Sequence, residues 1–133
     1  MKAEWKEKWL AALRSGEYEQ TTAQLRHNVG DGTYLYCCLG VLCNIVDPER
    51  WTGKNDELYL GENVEGVVTR VDSYPPKDVL ELVGLDKADM HALAVLNDGD
   101  SLSDESALFK QFDQEAREPF NFLQIADVIE KVL

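Results

Sequence analysis

Three cysteines within seven residues are the side chains of this 133-residue chain best suited to chemistry. Cys37, Cys38 and Cys43 are its only thiols, and they stand in the almost wholly apolar segment YLYCCLGVLC, residues 34–43. A thiol can act as a nucleophile or a metal ligand, but a cysteine in an apolar run is also an ordinary small core residue. The surrounding sequence must distinguish these two roles.

A cysteine-dependent hydrolase or transferase needs a base, and a group that orients the base, close to the thiol. His91 is the candidate base for Cys37 or Cys38, provided that the thiol lies near a helix N-terminus, where the dipole favours thiolate. Asn97 or Asp98 could then orient the imidazole, which gives the chain order of papain-like enzymes. No glycine-flanked motif of the Cys-Gly-Ser-Cys type surrounds these cysteines. We therefore predict packed, inert thiols and keep this enzyme as the alternative.

Metal and cofactor sites have weaker support in the sequence. The three cysteines do not form two separated pairs, and His27 is the only nitrogen ligand near them, which is unlike a zinc site. The carboxylate-rich run at 98–105 lacks the glycine and the final glutamate of an EF-hand loop. The chain contains no P-loop, G-x-G-x-x-G or G-x-S-x-G motif. We predict no metal and no cofactor.

The balance of charge is strongly acidic, because 13 Lys and Arg residues face 25 Asp and Glu residues, for a net charge of −12. No basic stripe is available to neutralise phosphates, so we expect no direct binding to nucleic acid. An acidic surface either keeps a protein soluble or attracts a partner with a basic surface. No apolar run approaches the roughly 18 residues of a membrane helix. The odd number of cysteines, without disulfide spacing, favours the cytoplasm.

Helical signals occur at both ends of the chain and between them. An apolar face with two tryptophans four residues apart ends before Gly16, which is typical of a glycine that follows a helix. The last helix is predicted to begin at Asn121, because Gln124 three residues on completes a capping box. Further helices are predicted at 36–46, where a buried strand is the alternative, from Pro75 to Gly84 and at 87–97. Ser103 could cap another helix through Phe112, although residues 104–117 could equally form a mobile insertion.

Strand signals are confined to the middle of the chain. Residues 58–60 and 67–71 are rich in β-branched and aromatic side chains and flank a polar, glycine-bearing turn, which predicts an antiparallel hairpin. The stretch at 51–54 could add an edge strand or remain a loop. Residues 17–33 are polar and are predicted to be irregular.

Together these elements predict an α+β fold, with four to five helices packed around a small antiparallel β-hairpin and a buried, central cysteine-rich helix. Residues 1–133 are expected to form a single globular domain, with 100–119 as a candidate mobile insertion. The predicted core consists of apolar side chains on the helical faces: Trp5, Trp9, Leu13, Cys38, Leu39, Leu42, Ile45, Val79, Leu80, Leu93, Leu96, Phe122, Ile125 and Ile129.

Four segments carry a family resemblance: WLAALRSGEYEQ at 9–20, YCCLGVLC at 36–43, LNDG at 96–99 and FLQIADVIE at 122–130. They resemble a family of small uncharacterised proteins encoded by tailed bacteriophages and prophages. That family carries W-x-x-A-L-R-S-G-x-Y-x-Q, C-C-L-G-V-L-C and L-N-D…F-x-x-I-A-D-x-I-E motifs. The resemblance implies an accessory role in the cytoplasm of the infected cell. It supplies no catalytic residues.

The resemblance, the acidity and the lack of a convincing catalytic constellation favour a non-enzymatic role. We predict a phage-encoded acidic accessory protein that acts by protein–protein interaction in the host cytoplasm, with inhibition of a host system as one variant. The expected partner is a host or phage protein, and in the sharper variant it has a basic surface that normally binds nucleic acid. The oligomeric state stays open.

Arg14 and Asp98 are charged residues at predicted helix ends, and neither belongs to an apolar face. We predict that Arg14 makes a structural contact either to Asp98 or to the polar segment Tyr18–Gln20. Asp98 is expected to accept backbone N–H bonds within its own turn at Gly99.

Overall fold

The computed structural model describes residues 1–62, 64–99 and 118–133. Within these residues the helices are α1 (Ala3–Arg14), α2 (Cys38–Val46), α3 (Lys77–Val83), α4 (Lys87–Asp98) and α5 (Phe122–Val132). The strands are β1 (Glu19–Gln20), β2 (Arg26–Gly30), β3 (Thr33–Tyr36), β4 (Trp51–Thr52), β5 (Leu58–Leu60) and β6 (Arg70–Val71). The predicted α+β class is confirmed.

The strands form two small sheets of three strands each. In the first sheet β3 is central, with β1 parallel on one side and β2 antiparallel on the other. The second sheet is antiparallel, with β5 between β4 and β6. The predicted hairpin is confirmed, because Leu60 pairs with Arg70, and the stretch that begins at Trp51 supplies the edge strand.

The prediction that residues 17–33 are irregular is wrong, since they contain β1, β2 and the start of β3. Asp31 and Gly32 both have positive φ, at 54° and 74°, the backbone of the tight turns that join hairpin strands. These short polar strands show no alternation of apolar and polar residues. Pairing with β3 holds them in place, since they have no apolar face of their own.

Helix α2 forms the centre of the core, as predicted, although it begins at Cys38 instead of Tyr36. All its residues from Cys38 to Cys43 are buried, and Trp9 of α1 donates from Nε1 to the Cys38 carbonyl at 2.9 Å. A Cβ built on Gly40 would lie 1.8 Å from the backbone oxygen of Leu25. The glycine of the cysteine motif is therefore required for the close approach of the helix to the backbone of Leu25, the residue before β2.

Most of the predicted core is buried, but Trp5, Ile45 and Leu80 are only partly buried against it. Other core residues, outside the predicted set, come from the residue before β2, from β5 and from the helices α3 and α4. The main ones are Leu25, Tyr59, Val83, Met90 and Ala92.

The capping box of α5 is confirmed in full. The Asn121 side chain accepts the Gln124 N–H at 2.8 Å, and the Gln124 side chain accepts the Asn121 N–H at 2.9 Å. Gly84 ends α3 with a φ of 72°, as expected for a residue in the left-handed region. The predicted helix at 103–112 lies outside the described residues, and so does most of the predicted insertion at 100–119. None of the described helices is long and apolar enough to span a bilayer.

The predicted partner of Arg14 is wrong. Its Nη2 lies 3.0 Å from Asp127 and 3.1 Å from Glu130, both on α5, because α1 packs along α5. Asp98 accepts the backbone N–H of Ala23 at 3.0 Å, and its predicted turn at Gly99 continues into residues outside those the structure describes.

Candidate functional site

Two of the three thiols are completely enclosed in the core. Cys38 and Cys43 have no exposed surface, and Cys38 Sγ lies 3.8 Å from the carbonyl oxygen of Leu93. Burial raises the pKa of both thiols well above its ordinary value, since a thiolate would lose its hydration there. Neither side chain has a route to a substrate in this conformation.

Cys37 is the cap of α2, which places it at a helix N-terminus as the sequence analysis required. Its Sγ accepts the backbone N–H of Gly40 at 3.3 Å. It is nevertheless 6% exposed, and burial raises its pKa to about 11 in spite of that hydrogen bond. At neutral pH the thiol is therefore protonated, and the helix terminus does not create a thiolate nucleophile.

His91 lies on the exposed side of α4 and stacks on the ring of Tyr74, with centroids 4.7 Å apart and planes 13° apart. Cys37 and Asp98 line a small cavity of about 200 Å³, and Tyr74 lines it as well. Among the described residues no hydrogen bond joins His91 to either candidate thiol. Tyr74 therefore contacts the His91 ring and also lines the cavity that Cys37 lines.

Asn97 is wholly buried and its amide is fully used by the fold. Oδ1 accepts from the Gln20 side chain at 2.9 Å and from the Cys38 backbone N–H at 3.2 Å. Nδ2 donates to the Thr21 carbonyl at 2.9 Å and to Asp98 at 3.1 Å. Asn97 therefore joins α4 to the start of α2 and to β1, and it does not orient His91.

An open groove lies between α3, α4 and the segment before α3, and we call it the α3–α4 groove. It encloses about 700 Å³, within the usual range of ligand and side-chain sites. Its surface is apolar in the middle, aromatic on one side and charged at the rim. The lining residues are Tyr74, Pro75, Lys77, Leu80, Glu81, Gly84, Leu85, Asp86, Lys87, Met90 and His91.

A smaller acidic cavity of about 280 Å³ adjoins this groove, and Lys77 and Glu81 line both. Glu62 and Asp78 add two more carboxylates to it. The Asp78 carboxylate is ion-paired with Arg50. The apolar groove therefore continues into a surface that carries carboxylates.

An aromatic cluster joins the two sheets, and the sequence analysis did not find it. The rings of Tyr18, Tyr36, Trp51 and Tyr59 follow one another edge to face, with centroids 4.9 to 6.1 Å apart. Asn44 links the cluster by bonding both the Tyr18 hydroxyl and the Trp51 indole N–H. Aromatic residues stand in the sequence at irregular intervals, so no spacing pattern marked them as one group.

The whole chain, residues 1–133, matches the family described as a domain of unknown function, DUF8296, and the protein is a member of that family. Neither the curated proteins nor the solved structures contain a match to the chain.

Proposed function

We propose that this protein is a phage- or prophage-encoded accessory protein that acts in the host cytoplasm by binding another protein. The partner has a basic surface, and an apolar side chain of that partner enters the α3–α4 groove. The sequence motifs that resemble phage proteins support the origin, and the net charge of −12 supports the chemistry of the partner.

The observation that carries the proposal is the groove itself. Its floor includes Leu85 and Met90, which are almost wholly buried, while Tyr74 is 41% exposed at its edge. An aromatic side chain at the mouth of an apolar recess is typical of the residues that dominate binding energy at protein interfaces. Such a recess takes up an apolar side chain of a partner and removes it from water.

The acidic cavity beside the groove supports a partner with Lys or Arg next to its apolar side chain. Glu62 lines this cavity, and Glu81 lines both the cavity and the groove. Lys77 reduces the local negative charge through its contact with Glu81 at 3.7 Å. Charge complementarity of this kind chiefly sets the rate and the specificity of association.

An exposed apolar hairpin turn borders the same cavity. Val64 and Val67 exchange backbone hydrogen bonds at 2.9 and 3.1 Å, and both side chains are largely exposed. Val64 also lines the acidic cavity. A surface that alternates apolar and acidic groups in this way suits an interface with an apolar centre and a charged rim.

The cysteine-dependent hydrolase or transferase receives less support from the geometry. The candidate thiols are buried and protonated at neutral pH, and the imidazole of His91 is stacked on Tyr74. Cys37 lines a small cavity together with Tyr74, but the residue is only 6% exposed.

Capture from host lysate with matched variants tests the proposal. The bait is the full chain, either wild type, Tyr74→Ser in the groove, or Leu123→Ser. Leu123 is a matched control because it is 57% exposed on α5, away from the groove. We expect one basic protein to be captured by wild type and by Leu123→Ser at low salt, with a large loss for Tyr74→Ser and at about 1 M salt, where charges are screened within a few ångströms.

Two results would contradict the proposal. One is capture that Tyr74→Ser leaves unchanged, which would place the interface elsewhere. The other is a captured partner that is acidic, or whose binding is insensitive to salt. Either would mean that the negative charge of this protein does not attract the partner.

A further inference from the structure

Arg26 is a buried arginine at the start of β2. It is 8% exposed, and its guanidinium carbon lies 3.4 Å from the ring centroid of Tyr34, 4.7 Å from that of Trp51 and 5.6 Å from that of Tyr36. Tyr34 and Tyr36 are on β3, and Trp51 comes from the second sheet. The cation is thus enclosed by three aromatic rings where the two sheets meet.

The described residues supply no anionic partner for the guanidinium. Its Nε is buried without a hydrogen-bond partner, and none of the ion pairs made by the described residues includes Arg26. Two carboxylates that reach the same strands are engaged elsewhere. The Tyr34 hydroxyl donates to Asp56 at 3.5 Å, and the Asn28 backbone N–H donates to Glu57 at 2.9 Å.

This arrangement is unusual in a chain with 25 acidic residues, because a buried charge is normally paired. The aromatic rings compensate only part of the lost hydration, since a cation–π contact neutralises no charge and satisfies no N–H donor. Stacking on Tyr34 also covers a face of the planar guanidinium. Its five N–H donors lie in the plane of the group, so a missing acceptor must approach along the edge.

We propose that Arg26, Tyr34 and Trp51 form a binding site for an oxyanion, a carboxylate or phosphate group, which completes the hydrogen bonding of the buried guanidinium. Carboxylates and phosphates match the fork of N–H donors and bind it through two parallel hydrogen bonds. The half-buried rings around the cation exclude water from one side of the ligand, which strengthens the charge interaction. This site is distinct from the α3–α4 groove and does not depend on the interaction proposed there.

Nuclear magnetic resonance of the arginine side chains tests the site in the full chain. Sodium phosphate and sodium acetate are titrated separately at constant ionic strength, with sodium chloride as the balancing salt. We expect the Nε–Hε signal of Arg26, assigned by its absence in Arg26→Lys, to shift and saturate with phosphate, with acetate, or with both. A response to phosphate alone identifies a phosphate ligand. The signal of Arg70, an exposed strand residue, is the matched control and should not saturate.

Thermal unfolding of wild type and Arg26→Met supplies a second readout. The effective anion should raise the melting temperature of wild type but not that of the variant. Without the anion, Arg26→Met should melt no lower than wild type, because an apolar side chain replaces an unpaired buried charge. An Arg26 signal that responds to neither anion would overturn the proposal. The titration is made on the wild-type protein, so it tests the proposal even if Arg26→Met does not fold. Anion stabilisation that persists in Arg26→Met would overturn it too.

Discussion

Asn97, at the end of α4, accepts the backbone N–H of Cys38 with its side-chain oxygen at 3.2 Å. The same oxygen accepts from Gln20, and the amide nitrogen donates to Thr21 and Asp98. One buried amide therefore connects the cysteine helix, the first sheet and α4. Asn97 belongs to a motif that resembles phage proteins, and these contacts give it a structural role.

We predict that Asn97→Ala lowers the free energy of unfolding by about 3 kcal/mol, because several buried polar groups lose their partner together. Urea denaturation measures this loss. Asn28→Ala is the control, since Asn28 makes its side-chain bonds at the surface, and it should cost less than about 1 kcal/mol. Equal losses in the two variants would contradict the role given to Asn97.

Gly40→Ala should destabilise the fold by at least about 3 kcal/mol, because the new Cβ meets the Leu25 backbone and not a flexible side chain. Gly16→Ala is the comparison. Gly16 has a φ of +77° and open space around it, so its substitution costs only the backbone strain of about 1–2 kcal/mol. If Gly40→Ala melts as high as Gly16→Ala, α2 does not lie against the Leu25 backbone.

Cys37 should react slowly with a thiol reagent in the native protein at pH 7, and its rate should rise with pH towards about 11, the pKa to which burial raises its thiol. Tyr74→Ala removes the ring that lines the Cys37 cavity and should increase the labelling rate of Cys37 at least about tenfold, since reactivity depends on exposure of the sulfur. Leu82→Ala removes a side chain of similar exposure, on α3, and should have no effect. Rapid labelling of wild type at neutral pH, reduced by His91→Ala, would instead support the hydrolase.

Arg14→Ala should reduce stability at pH 7 but not in acid. The hydrogen bond from Arg14 lowers the pKa of Glu130 below its ordinary 4.5, so the ionised pair stabilises the fold above about pH 4.5. That contribution disappears as the pH falls through the depressed pKa of the folded state. Denaturation curves at pH 7 and pH 3 measure the change. The difference between wild type and variant should shrink in a Glu130→Gln background and vanish when Asp127→Asn is added, because Arg14 pairs with both carboxylates; a difference that persists in that double background would assign the effect to another partner.

Structural features that depend only on neighbouring residues could be predicted from the sequence. The capping box of Asn121 and Gln124 spans three positions, and the apolar faces of α1 and α5 repeat within one or two turns. Such patterns are local, so they identify an element and its ends without knowledge of the rest of the fold. The burial of the cysteine helix followed in the same way from its nearly uniform apolar composition.

Contacts between distant segments could not be predicted in this way. Arg14 meets Asp127 and Glu130 across more than 110 positions of the chain, and only the packing of α1 on α5 selects these partners. The aromatic rings around Arg26 likewise come from β3 and β4, which belong to different sheets. The α3–α4 groove requires the segment at Tyr74 to fold beside His91. Each of these features depends on tertiary structure that no spacing in the sequence encodes.

Hydrogen–deuterium exchange of the full chain, free and bound to the captured basic partner, tests the proposed function most directly. We expect the partner to slow exchange in segment 74–91, which contains the α3–α4 groove, and to leave α1 and α5 unchanged. Slower exchange confined to α1 and α5, with 74–91 unaffected, would contradict the claim that this groove binds the partner.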